Sequence, residues 1–219
     1  MLVVFDLDGT LVDSLRDIAE ATNDCLELLG REPRRVQDYR YMVGEGVPAL
    51  CRKACAGEPE WLVNRLTELV RARYRTALLR HTAPYSGVDG LVRALHGRGA
   101  RLGVLSNKPH DMTVRIVRAF WQEAVFEQVH GFEPAFPRKP DPARLVAMMA
   151  VAGASGEQTW MVGDTPVDVE TARRAGARSL SVTWGFRSRE DLLACGAERL
   201  CDSPDEALAA LEAAAASGA

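Results

Sequence analysis

The chain has 219 residues, 26% of them charged and 47% hydrophobic, with a formal net charge of −3. That length buries a sizeable core and suits one domain, or one domain carrying an inserted subdomain. The charge excludes a global basic footprint for nucleic acid, and no apolar run approaches the ~20 residues that cross a bilayer.

The first predicted element is a buried strand in VVFDLDGTLVDS (residues 3–14), which runs straight into two aspartates. No basic leader precedes it, so no secretory signal is expected. Ser14 with Asp17 resembles a capping box loosened to Asp. Leu15, Ile18, Ala19, Thr22, Leu26 and Leu29 then keep a helical period that Gly30 closes. YMVGEGVPALCRKA (41–54) reads as a loop entering a short helix, and a long helical stretch runs from about Glu58 to Leu79. No strand is evident in this segment. Pro84 and Gly87 mark the return to a different pattern.

From about residue 84 onward, apolar strand-like runs (101–106, 125–130, 159–164, 178–184) alternate with helical stretches (88–98, 109–120, 142–152, 166–175). Gly99 and Gly176 sit just past two of the helices, where helix stops sit. Pro109, Pro142 and Pro166 sit at first turns. Alternation of this kind means βα units and a parallel sheet buried on both faces. The fold class expected is therefore α/β, with a helical block interrupting the domain directly after its first strand. The tail after about Ala213 is expected to fray. The five cysteines (25, 51, 55, 195 and 201) are odd in number and scattered. They are read as reduced thiols, mostly buried, in a reducing cytoplasm, and no zinc site is expected.

Asp6 and Asp8 stand two apart in an extended chain, so both can face one point beyond the carboxyl end of the strand. Ligands bind there in open parallel sheets. Two close carboxylates are costly unless a cation or a shared proton relieves them, and magnesium is the usual hard divalent ion near phosphate. An N-cap aspartate followed by a loop aspartate would also account for the pair alone. The other strand ends weigh against that. LSNKP puts Ser106, Asn107 and Lys108 at the end of one strand, FPRKPDP puts Lys139 before a helix, and VGDTPVDVETARRAG puts Asp164 and Asp168 at the end of another.

With these segments together, the sequence resembles the haloacid dehalogenase superfamily. DLDGTLVDS matches the first motif of that family, Ser106 the second, Lys139 the third and GDTPVDVETARRAG the fourth. The resemblance implies a Rossmann-like parallel sheet core (1–13 and 84–219) with an inserted all-helical cap (14–83). Within the superfamily, SNKP, VGEGVPAL and the C-terminal WGF…GAERLCDSPDE look most like phosphoglycolate phosphatases. The implied roles are Asp6 as nucleophile toward phosphorus and Asp8 as general acid and base. Ser106 and Lys139 would hold the phosphoryl oxygens, helped by Asn107 and the Gly9–Thr10 backbone. The implied Mg2+ ligands are Asp6, Asp8 through its backbone carbonyl, and Asp164. Asp168 would stand behind them, with direct ligation left open.

The expected partner is a small phosphorylated metabolite, with no nucleic acid and no membrane, for a monomer or homodimer. 2-Phosphoglycolate is the leading substrate; a sugar phosphate, nucleotide or pyrophosphate, or a β-phosphoglucomutase-type transfer, are the alternatives. Asp8 counts against a dehalogenase or a phosphonate hydrolase, both of which lack it, and Lys53 is expected on the surface. Lys108 is left between a solvated and a functional role. Among the many arginines of the helical block, Arg52 is the choice for receiving an anionic leaving group. His81, His96, His110 and His130 show no ligand spacing.

Overall fold

A computed structural model of the protein describes residues 1–121 and 125–217. Strand β1 (Leu2–Phe5) is buried along its whole length. Its alternate side chains serve two cores: Val3 and Phe5 join one apolar cluster, Leu2 and Val4 another. A strand with no wet face must lie in the middle of a covered sheet.

After β1 come β2 (Val12–Asp13), α1 (Leu15–Leu28), a 3-10 helix (Val36–Tyr41), α2 (Val47–Ala54), α3 (Glu60–Ala77) and β3 (Ala83–Pro84). The alternating part follows as α4 (Val88–Gly97), β4 (Arg101–Pro109), α5 (His110–Phe120), β5 (Gln128–Phe132), α6 (Ala143–Ala152), β6 (Thr159–Gly163), α7 (Pro166–Ala175) and β7 (Arg178–Val182). The chain closes with α8 (Arg189–Ala194), β8 (Leu200–Cys201) and α9 (Pro204–Ser217). The main sheet has six strands in the order β5-β4-β1-β6-β7-β8, every pairing parallel. This is a Rossmann-like α/β fold. Its carboxyl ends gather on one edge.

Several boundaries differ from the sequence expectation. The strand expected at 125–130 lies at Gln128–Phe132. Val125 and Phe126 pack inward instead; Phe126 meets the Phe5 ring edge-on at 6.4 Å and the Trp121 ring at 5.6 Å. The strand expected to end at Ser106 continues to Pro109, paired with Phe132 after a register shift. β7 stops at Val182, because the following segment turns back across the sheet end. α9 extends to Ser217, so the expected fraying does not begin at Ala213; residues 218–219 lie outside the described residues. Alanines are the strongest helix formers, and Ala207 and Leu211 anchor that helix in the core.

The segment expected to lack strands holds one residue of a short ribbon. Val12 pairs with Pro84 and Asp13 with Ala83, antiparallel, where the helical segment leaves and rejoins the sheet. The Ser14–Asp17 capping box does not form. Ser14 caps without a side-chain bond, and its hydroxyl goes elsewhere. The buried Asp17 carboxylate accepts the backbone N–H groups of His81 and Thr82 and the Thr82 hydroxyl, at 2.7–3.0 Å. It therefore staples the returning chain beside the departing one. All five cysteines are free.

Candidate active site

β4, β1 and β6 are neighbours in the sheet, so their carboxyl ends deliver Ser106–Lys108, Asp6–Asp8 and Asp164 to one place. Lys139 arrives from the loop after β5. Its buried ammonium lies 2.9 Å from Asp6 Oδ1 and 2.7 Å from Asp168 Oδ1. The other Asp168 oxygen accepts the backbone N–H and the hydroxyl of Thr165 at the start of α7, at 3.1 and 2.7 Å. Asp164 is fixed by the Thr10 hydroxyl (3.0 Å) and the Phe186 N–H (2.7 Å).

Asp6, Asp164 and Asp168 each offer a carboxylate oxygen within 4.8 Å of the others, all three buried. Fully ionised, they would set three negative charges against one ammonium. The protein alone does not sustain that. Burial, joined by the Asp168 and Asp8 carboxylates and opposed by Lys139, raises the pKa of Asp6 to about 7. Burial and the neighbouring Asp6 and Asp168 raise that of Asp164 to about 8. Burial would depress Lys139, but Asp168 and Asp6 outweigh it and hold its pKa above the ordinary lysine value. A hard divalent cation relieves such a cluster, and the donor set, all carboxylate oxygen, suits one. Two glycines let the backbone come close to the Asp164 carboxylate. Gly9 has φ +88°, and a Cβ there would collide with the Asp164 carboxylate. A Cβ on Gly185 would lie 2.5 Å from Asp164 Oδ2.

The Asp8 carboxylate is not part of that cluster. Both of its oxygens accept from the buried Lys108 ammonium, at 2.6 and 2.7 Å, and Oδ1 also accepts the Ser14 hydroxyl at 2.5 Å. Lys108 also lies 4.7 Å from the centre of the Tyr74 ring, contributed by α3. Burial alone would lower the Lys108 pKa, but Asp8 and Tyr74 raise it. Asp6, Asp8, Ser106 and Lys108 line a cavity of about 50 Å3, roofed by apolar residues of the helical segment that include Ile18, Leu50 and Val70.

Four residues named from the sequence as substrate contacts have other partners here. The Gly9 N–H donates to the Val12 carbonyl and the Thr10 N–H to the Leu7 carbonyl, so the tight loop consumes both donors. The Thr10 hydroxyl orients Asp164. The Asn107 amide donates to the carbonyls of Gly44 (2.9 Å) and Lys139 (3.0 Å), while its oxygen accepts the Lys139 N–H (2.9 Å). It thus pins the Lys139 loop to the helical segment. Arg52 is exposed and pairs with Glu60 at 2.7 Å, lining neither the site nor its mouth. Lys53 is exposed and pairs with Glu45.

Two contributions escaped the sequence reading, Tyr74 and the segment Trp184–Arg187, and a third, Lys108, is left open by it. Lys108 carried a usable signal, since it stands two after Ser106 on an extended strand and so shares its face. Tyr74 carried a weaker one, being a tyrosine on the apolar stripe of a helix. The segment Trp184–Arg187 carried none that is local. There the Trp184 indole donates to the Thr10 carbonyl (3.1 Å) and the Phe186 N–H to Asp164. Arg187 donates to the carbonyls of Arg40 and Val43, while Arg40 reaches back to those of Gly185 and Phe186. This crossed clasp ties the helical segment to the sheet end.

The family model described as "Haloacid dehalogenase-like hydrolase" matches residues 3–182. A phosphoglycolate phosphatase of Rhodospirillum rubrum is 35% identical over 212 residues, covering 91% of this chain and 86% of the relative. One of Pseudomonas fluorescens is 32% identical over 195 residues, covering 84% of this chain and 70% of the relative. Among solved structures, a putative phosphoglycolate phosphatase from Lactobacillus delbrueckii subsp. bulgaricus superposes with a TM-score of 0.91 at 27% identity, covering 96% of this chain and 97% of that one. Matched over most of its length by that model, and by relatives above 30% identity, the chain belongs to the haloacid dehalogenase-like hydrolase family.

Proposed function

We propose that the protein is a Mg2+-dependent phosphatase of a small phosphomonoester, working through an aspartyl-phosphate on Asp6, with 2-phosphoglycolate as the leading substrate. One observation carries the reading: Asp6 and Asp8 line the same small cavity, Asp6 held by one buried lysine and Asp8 by another. A nucleophile and a proton-transfer group side by side are what a two-step displacement needs. The names of the relatives support the substrate.

For the first step Asp8 carries a proton in place of the charge it sets against Lys108; an Asp6 oxygen attacks phosphorus while the departing alkoxide takes that proton. In the second, Asp8 removes a proton from water, the hydroxide attacks the same phosphorus, and inorganic phosphate leaves with Asp6 restored. Ser106 and Lys139 hold the phosphoryl oxygens, and phosphoryl transfer depends mainly on such positioning and charge neutralisation. Asp6 and Asp164 would hold Mg2+ with the Asp8 backbone carbonyl, and Asp168, occupied by Lys139 and Thr165, would orient the lysine. The cation would screen the carboxylates from the incoming phosphate charge.

Residues 14–83 serve in this reading as a cap over a core formed by 1–13 and 84–219. The ribbon of Val12–Asp13 with Ala83–Pro84 would be its hinge, and the roof of the cavity its closed face. Closure expels water that would weaken every charge interaction below it. No helix among the described residues is long and apolar enough to cross a membrane, and the free cysteines favour a reducing cytoplasm. A phosphatase screen over metabolite phosphates with Mg2+, ranked by kcat/KM, tests the proposal, because that ratio reports transition-state discrimination. Turnover led by 2-phosphoglycolate supports it; no turnover of any ester contradicts it.

A further inference from the structure

The cavity of about 50 Å3 over Asp6 is the one that Ser106 and Asp8 line. A second cavity, of about 210 Å3, adjoins it and shares Val47, Asn107 and Pro109 with its wall. Its remaining lining is Phe132 and three arginines, Arg71, Arg75 and Arg138, with no acidic side chain.

Arg75 is paired with Asp111 at 2.9 Å. The other two have no carboxylate. Arg138, one residue before Lys139, is wedged between the Phe132 ring, 3.2 Å from its centre, and the backbone of Gly46. Its Nε is out of water and makes no hydrogen bond. Burial, reinforced by the nearby Arg71, holds its pKa below the ordinary arginine value. Arg71, on the exposed rim, has no ion-pair or hydrogen-bond partner among the described residues. Every other arginine between 31 and 80 has a carboxylate or carbonyl partner.

Two guanidiniums facing one cavity without a counter-charge repeat, with opposite sign, the problem posed by the aspartates. Uncompensated charge in a partly buried place is costly, and the remedy is an anion. Guanidinium suits carboxylate and phosphate alike, because its donors match two oxygens at once.

We propose that Arg138, assisted by Arg71 at the rim, receives a second anionic group, a carboxylate or a phosphate, carried on the leaving group of the substrate. This rests on the phosphatase reading above and names the substrate class and specificity residues of that site. The phosphoryl group would occupy the small cavity and the leaving group would extend past Asn107 into the larger one.

The test uses three esters with two-carbon leaving groups: 2-hydroxyethyl phosphate (uncharged leaving group), 2-phosphoglycolate (carboxylate) and ethane-1,2-diol bisphosphate (second phosphate). Steady-state kcat/KM with Mg2+ is measured for the wild type, Arg138→Gln, Arg138→Lys and Arg71→Gln, with Arg65→Gln as a control on the same helix. The wild type should prefer at least one anionic ester, and the one preferred identifies the group. Arg138→Gln should lower the anionic-to-neutral ratio by about tenfold or more, the order of one lost charge-assisted contact. Arg138→Lys should retain part of it, having the charge without the fork. Arg71→Gln should give a smaller fall and Arg65→Gln none. Rising ionic strength should erode the ratio in the wild type but not in Arg138→Gln. Turnover with a ratio that Arg138→Gln leaves unchanged overturns this inference alone. If Arg138→Gln does not fold, Arg138→Lys decides, an unchanged ratio again overturning it. Absence of turnover on all three esters and on the wider metabolite panel overturns the phosphatase reading, and the inference with it.

Discussion

Lys108 and Asp8 form a two-pronged ion pair, 2.6 and 2.7 Å between charged atoms, with both side chains almost wholly out of water. The pair joins the end of β4 to the loop after β1, and Ser14 completes the carboxylate's shell.

Breaking a buried pair from one side leaves the other charge stranded, at a cost of about 3–5 kcal/mol. Lys108→Met should therefore lower the melting temperature markedly. The double variant Lys108→Met/Asp8→Leu should recover much of that loss while remaining inactive. Thermal or denaturant unfolding of the wild type, both single variants and the double variant closes the cycle. Additive losses would mean that the pair is not energetically coupled.

Asp8→Asn should cost alkyl phosphates about 100- to 10,000-fold in kcat/KM, the range that general-acid help supplies. Aryl phosphates with acidic leaving groups should suffer far less in the first step. Since intermediate breakdown still needs the base, the aryl substrate should show a burst of released phenol in stopped-flow traces. An equal loss on both substrates without a burst argues against the role.

Metal removal has a pH signature. Without a cation, the Asp6 and Asp164 pKa values stand at about 7 and about 8, well above the 3.8 of an unperturbed aspartate. The native state then binds more protons than the unfolded chain between those limits, so stability is fully present below about pH 4 and is lost as pH rises through 7 and 8. In excess chelator, the melting temperature should fall across that window. Mg2+ should restore most at the alkaline end, because metal binding displaces those protons. Activity should vanish in chelator and return with Mg2+. Differential scanning fluorimetry from pH 5 to pH 8.5, with and without Mg2+, checks it; a Mg2+ effect that does not change with pH contradicts it.

Gly46 has φ +89°, and a side chain there would begin 2.8 Å from Arg138 Nε and 3.3 Å from the Asn107 carbonyl oxygen. Gly46→Val should push Arg138 aside and lower kcat/KM for 2-phosphoglycolate much more than for p-nitrophenyl phosphate. The forced backbone should also cost about 1–3 kcal/mol of stability. An equal fall on both substrates in a folded variant would make the loop merely structural.

The sheet, its helices and the acids at its strand ends were legible in the sequence because each leaves a local mark. Asp6, Ser106 and Asp164 each close an apolar run of strand length, and Lys139 stands in a Pro-rich turn just before a helix. What local pattern does not carry is direction. Asn107 and Thr10 stand where a substrate contact would stand, yet their side chains turn to the Lys139 loop and to Asp164. Asp17 reads as a helix cap but points 64 residues along the chain to His81. Arg52 and Arg71 look alike on paper. Glu60 claims the first, and only the packing of α3 against the Lys139 loop brings the second to Arg138. The Val12–Pro84 ribbon is too short to show a period.

The central claim is that Asp6 carries the phosphoryl group between the two steps. Asp6→Asn should abolish turnover, by up to roughly six orders of magnitude as for other essential nucleophiles, without loss of fold. The direct measurement is peptide mapping by mass spectrometry of Asp8→Asn, acid-quenched during turnover of an aryl phosphate with Mg2+. A phosphoryl adduct on the peptide bearing Asp6, matching the burst in amount, is the predicted result. A burst with no adduct on Asp6, or an adduct on another residue, would contradict the account.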